Sequence, residues 1–130
     1  MDVKFKEEQV IKIINKAASY LDRPYKKGFA CLDFLRLVYR AVGIEIPRLW
    51  SGEPPPQWIN INSEEAVNPP IGHIMFLRRR ETKTTRYWTH VIIILSEREC
   101  IHCSYYFGGK VCISLLEKIF ALYDFAPSSQ

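Results

Sequence analysis

The chain is short of the groups that would build a metal or disulfide framework: its 130 residues include four cysteines and three histidines. Cys100 and Cys103 form one C-x-x-C around His102, but no second pair at a suitable spacing supplies the further ligands a zinc site needs. In a strand, the odd separation also sends these two sulfurs to opposite faces, as core residues do. With Cys31 set aside as a reactive thiol, the other three are an odd number, which argues against a full disulfide set. We therefore expect no metal and no organic cofactor.

Long apolar runs are also missing, so no membrane insertion is expected. The opening MDVKFKEEQVIKII lacks the continuous apolar segment of a secretory signal and reads as an amphipathic helix carrying Val10, Ile13, Ile14, Ala17 and Leu21. Repeats and low-complexity tracts are absent. The formal net charge of +4 suits an anionic polymer and an ordinary soluble protein alike. Arg78-Arg79-Arg80, with Lys83 and Arg86, reads as a solvated hairpin tip between two strand-like runs. No aromatics interleave with these bases, so a nucleic-acid partner is not expected. A hydrophobic fraction of 48% with 13% aromatics is enough for one core, and residues 1–130 are read as a single domain.

What is present is an ordered set of a thiol and two imidazoles. Phe34, Leu35, Val38, Ala41 and Val42 recur at helical spacing between Gly28 and Gly43, so Cys31 opens a helix. The positive end of the macrodipole and the unpaired N–H groups there favour a thiolate, which is the nucleophilic form. Cys31 lies on the stripe of Phe34, Leu35 and Val38, so a packed structural cysteine remains the other reading.

His90 heads the run VIIIL, apolar on both faces and therefore a central strand covered on both sides. His102 lies in ECIHCSYY, reached through the turn Ser96-Glu97-Arg98-Glu99, and the two stretches form a hairpin. A loop or bulge centred on Ser96 sets His90 opposite His102, whereas a tight two-residue turn puts them on opposite faces.

These stretches resemble the NlpC-type cell-wall cysteine peptidases, a compact branch of the papain-like superfamily, from about Ala18 to Ser114. The matching segments are YLDRPY, ACLDFLRLVYRAVGIEIPR, PPIGHIMFL, THVIII and CIHCS, in the family's order. The resemblance implies Cys31 as nucleophile, His90 as general base and then acid, and His102 as orienting third member. It also implies Tyr25 as a substrate-binding or oxyanion phenol. Ala30, Leu32, Asp33 and His73 depart from the family's D-C-S-G and P-G-D motifs. Asp33 opposes a nearby thiolate even as it suits a helix N-terminus.

The expected chemistry is amide hydrolysis through a thioester, on peptides of the peptidoglycan stem. A catalytically silent module that binds a glycan-peptide or protein, and an acyltransferase or deamidase, are the alternatives. No signal is visible although a cell-wall substrate lies outside the cytoplasm, in the periplasm or the extracellular space; a mature or excised domain, a phage-associated lytic protein and an effector delivered without a signal peptide all fit. A secreted effector would bring an immunity or inhibitor partner. The fold expected is α+β, two N-terminal helices on an antiparallel sheet or half-barrel. The Arg48 to Pro70 connection, with Trp50 and Trp58, borders the site in this reading, and the tail after a short helix at Leu115 to Phe120 is polar and frayed.

Overall fold

A computed structural model describes residues 5–46, 71–79 and 90–125. The connection bearing Trp50 and Trp58, and the basic stretch from Arg80 through Lys83 to Arg86, lie outside the described residues.

Helix α1 (Glu7–Ala18) starts where the Gln9 side chain accepts the Lys6 N–H at 3.0 Å, with Glu7 and Glu8 in its first turn, where carboxylates suit the dipole. It buries Ile13 and Ala17. Helix α2 (Cys31–Arg40) buries Phe34, Leu35, Val38 and Tyr39, the stripe its spacing dictates. It stops at Gly43, whose φ of +75° lets the Ile44 N–H reach back to the Tyr39 carbonyl at 3.1 Å.

The strands are β1 (Ile74–Arg79), β2 (His90–Ile94), β3 (Glu99–Ser104), β4 (Lys110–Leu115) and, after helix α3 (Leu116–Leu122), β5 (Tyr123–Phe125). They form one antiparallel sheet in the order β4-β3-β2-β1-β5. The α+β architecture expected from the sequence is therefore present. Two details differ. Arg78 and Arg79 end β1, where their backbones pair with Asp124 and Tyr123, so the basic tip starts later than expected. Residues 123–125 are a strand rather than a frayed tail, because β1 offers an open edge and Tyr123 is buried there.

Alternation along the strands divides the core in two. Ile74, Phe76, Val91, Ile93, Ile101, Cys103 and Val111 face α1 and α2. Met75, Leu77, Ile92, Ile94 and Cys100 face α3 and Tyr123. Cys100 and Cys103 thus fall on opposite faces, as their odd spacing requires. All five β2 residues are buried, which suits a central strand covered on both sides.

The outer edge of β4 is covered by residues 22–25. Asp22 N–H donates to the Val111 carbonyl, Val111 N–H to the Arg23 carbonyl, and Tyr25 N–H to the Gly109 carbonyl, each at 2.9 Å. This places Tyr25 immediately before the turn that leads into α2.

Because Ile93 is fully buried in the middle strand while Ile113 is 47% exposed, their truncations should differ sharply. Ile93→Ala should cost ~2–5 kcal/mol and Ile113→Ala less than ~1 kcal/mol, read from urea midpoints at constant slope.

Candidate active site

Cys31 is the first residue of α2, and the chain before it is tightly staked. Lys26 and Phe29 close a turn through Gly28, whose φ is +88°. The Phe29 carbonyl accepts the Cys103 S–H at 3.6 Å, tying the approach to α2 onto β3. Ala30 has no side-chain acceptor for the first-turn amides, and the Asp33 carboxylate reaches back to accept the Ala30 N–H at 2.9 Å.

At the sulfur, the backbone N–H groups of Val91, Leu32 and Cys31 itself favour the thiolate. The Val91 N–H is available for a structural reason. On β2 the odd-numbered residues turn their amides toward β3, as the Leu95 N–H to Glu99 carbonyl bond shows. Yet the β2–β3 ladder is made only at Ile93–Ile101 and Ile94–Cys100. Continuing that register would set Val91 opposite Cys103, but no pair forms there, so the strands part and the Val91 amide is left on the side where it favours the Cys31 thiolate.

The two histidines are together. His90 Nε2 and His102 Nδ1 lie 2.7 Å apart in a buried hydrogen bond. The β2–β3 register is centred on Glu97 rather than Ser96, two residues out of step with a directly opposed pair. A shift of two preserves the face, so the rings meet as diagonal neighbours. The far nitrogen of His102 reaches Ser114 Oγ at 2.8 Å. Ser114, on β4, carried no signal in the sequence. Only the β3–β4 register, which pairs Cys112 with His102 and Ser114 with Cys100, brings it beneath the ring.

Cys31 and His90 are not joined by a hydrogen bond. Among the described residues, the His102 contact is the only hydrogen bond of the His90 ring, and Nδ1 carries none. Alternation explains the separation. Val91 points to the helices and packs in the cluster that Cys31 joins, whereas the His90 ring lies 5.4 Å from Tyr123 in the opposite cluster. The Cys31 sulfur thus packs with the α1–α2 cluster and the His90 ring beside His102 and Tyr123, with no hydrogen bond between them.

Burial sets the electrostatics. It pushes the Cys31 thiol up to about 11, against the three amides, with Asp33 adding to the rise. Burial also holds His90 and His102 well below the ordinary histidine value, and the His102 ring further opposes a proton on His90. Thiol and imidazoles are therefore neutral at pH 7, and the dipole effect expected from helix position is outweighed by desolvation. Tyr25 is partly exposed, and its phenol is raised by burial and then by the neighbouring Cys31, which places the ring near the sulfur. Its ring sits 5.9 Å from that of Tyr105. The His73 ring lies 4.8 Å from that of Phe5, tilted by 51°.

Solved structures carry the same architecture. The NlpC/p60 domain of the peptidoglycan hydrolase SagA superposes with a TM-score of 0.65 at 25% identity, over 92% of this chain and 98% of that one. The chain has the NlpC/P60 fold. An NlpC/P60 family protein of Bacillus cereus gives a TM-score of 0.71 at 23% identity, over 91% of this chain. A lipoprotein-like NLP/P60 family protein of Staphylococcus aureus gives 0.65 at 19% identity, over 98% of this chain. The chain spans 40% and 44% of those two longer proteins. No protein-family model and no curated protein matches it.

Two outcomes follow from the neutral cluster. Below about pH 6.5 the unfolded chain protonates both histidines while the folded chain resists. Stability present above that pH should therefore fall on acidification, by up to ~1.4 kcal/mol per pH unit for each histidine involved. Urea titrations from pH 7 to 4 should show this slope, and His90→Gln with His102→Gln should flatten it. Alkylation of Cys31 by iodoacetamide should rise with pH beyond about 9 without a low-pH plateau, since the thiol is not ion-paired at rest.

Proposed function

We propose that this NlpC/P60-fold chain is a cysteine hydrolase that cleaves amide bonds in peptidoglycan stem peptides. The observation that carries the reading is the His90–His102 hydrogen bond at the end of β2, one peptide link from the amide that meets Cys31. It orients the His90 ring by one nitrogen and leaves the other open, which is what a base beside a thiol requires. That SagA, a peptidoglycan hydrolase, has a domain of this fold and length supports the substrate class.

In this reading His90 Nδ1 takes the Cys31 proton as sulfur attacks the carbonyl carbon, rather than beforehand. The oxyanion is received by the Cys31 N–H at the start of α2, with the Tyr25 hydroxyl alongside. His90 then delivers the proton to the departing amine, leaving an acyl-thioester on Cys31. Water, deprotonated by the same ring, releases the acid. His102 holds the ring in place throughout. None of these steps calls on a metal or organic cofactor.

One observation favours a second reading, a silent module that binds a stem peptide or a protein. Burial favours the neutral form of both the thiol and the imidazole, and no hydrogen bond joins them. Acyl transfer or deamidation would use the same thioester with a different acceptor or amide.

The deciding experiment incubates the protein with stem-peptide fragments and follows the products by mass spectrometry. Cys31→Ala should lower turnover by about a thousand-fold or more with the urea midpoint kept, and His90→Ala should act alike. Cleavage unchanged in Cys31→Ala would overturn the mechanism. Peptide binding with no turnover by the wild type would establish the silent module instead.

A further inference from the structure

The hydrogen-bond chain behind His102 has a direction, and that direction ends at the reactive nitrogen of His90. Cys112 Sγ lies 2.9 Å from the Phe107 carbonyl oxygen. A carbonyl only accepts, so the single S–H of Cys112 is spent there. Toward Ser114 Oγ, 3.8 Å away, the sulfur is left as an acceptor, and the serine O–H donates to it.

Having given up its one proton, Ser114 Oγ accepts from His102 at 2.8 Å, so His102 carries its hydrogen on Nε2. A neutral imidazole has only one N–H, which makes His102 Nδ1 a bare lone pair. It accepts, at 2.7 Å, from Nε2–H of His90. His90 is then unprotonated at Nδ1. Burial keeps both rings neutral, as this counting requires. The anchor is itself held, because Phe107 N–H donates to Ser104 Oγ, at the end of β3, at 3.2 Å, while the Phe107 ring sits 5.3 Å from that of His102.

We propose that Ser114 is a positioning residue which, backed by Cys112 and the Phe107 carbonyl, selects the tautomer of the His90–His102 pair that leaves His90 Nδ1 free to take a proton. The catalytic consequence rests on the proposed role of His90 as base, whereas the tautomer assignment does not. Reversing the chain would put the hydrogen of His90 on Nδ1, where the ring could not deprotonate a thiol.

Nitrogen-15 NMR of the histidine side chains tests the assignment without any substrate. In the wild type, His90 and His102 should both be Nε2–H tautomers. Ser114→Ala removes the acceptor for His102 Nε2–H, and both rings should shift toward Nδ1–H. Cys112→Ala keeps the serine but loses the sink for its proton, and should give a mixture of tautomers. Should Ser114→Ala fail to fold, Cys112→Ala carries the same measurement.

With a stem-peptide substrate, Ser114→Ala should lower kcat about ten-fold or more and change KM by less than about two-fold. Ser114→Thr should restore both the Nε2–H signals and kcat. A wild-type His90 protonated on Nδ1, or tautomers that do not change in Ser114→Ala, would overturn the proposal. Tautomers that shift as expected in a protein without turnover would overturn the hydrolase reading and leave this one standing.

Discussion

Strand β2 is buried on both faces, and the rest of the molecule is arranged around that constraint. A five-residue strand with no solvent face must alternate its side chains between two cores, so Val91 and Ile93 serve the α1–α2 side while Ile92 and Ile94 serve the α3 side. The same alternation assigns the end of the strand. Val91 lies on the Cys31 side and the His90 ring on the other, beside His102. The point of access between the two sides is the place where β2 and β3 stop pairing, and there a backbone amide meets the thiol. An unpaired amide in a buried strand would be costly, so the gap and the sulfur account for one another.

Desolvation then decides the charge state. Three amides aimed at the sulfur are a strong inducement to ionise, yet the thiol remains near 11 because the site is closed around it and Asp33 lies close by. On the histidine side burial disfavours a proton on both rings, and His102 further disfavours one on His90. An ion pair at rest would be a charge separation in a poorly solvated place, and its stabilisation would have to come from the ligand. A neutral resting pair is consistent with a base that acts in concert with attack. It also equips the chain for binding alone, which is why turnover and not thiol reactivity separates the two readings.

Much of this was legible in the sequence, for identifiable reasons. Cys31 opening a helix, the two-sided burial of β2 and the opposite faces of Cys100 and Cys103 all follow from periodicity, and the structure reproduces them. The meeting of His90 with His102 depended on the parity of one turn. Parity held although the turn centre moved from Ser96 to Glu97, since only an odd shift changes the face. What periodicity could not give was anything set by pairing between distant segments. Ser114 under His102, residues 22–25 along the β4 edge, and β5 beside β1 all depend on which strand lies next to which. How Cys31 and His90 sit relative to one another likewise depends on which face of the sheet α2 covers, and Val91, next to His90, faces the helices.

The substitutions around the thiol are best understood as one change rather than several. With alanine at position 30, α2 has no side chain at its N-cap, and a helix start without an acceptor leaves buried N–H groups unpaired. Asp33 bonds the Ala30 N–H from within the first turn, which ties down the N-cap backbone and leaves the Cys31 and Leu32 amides to favour the thiolate. Its carboxylate is thereby held at the mouth of α2, where it raises the thiol that the dipole would lower. The cap and the nucleophile thus draw on the same positive end of one helix. In such an arrangement the carboxyl group of Asp33 secures the N-cap backbone, and thiolate formation depends on the amides and on the imidazole. That shifts the demand for proton acceptance onto His90, and so onto the chain of hydrogen bonds that fixes which of its nitrogens is bare.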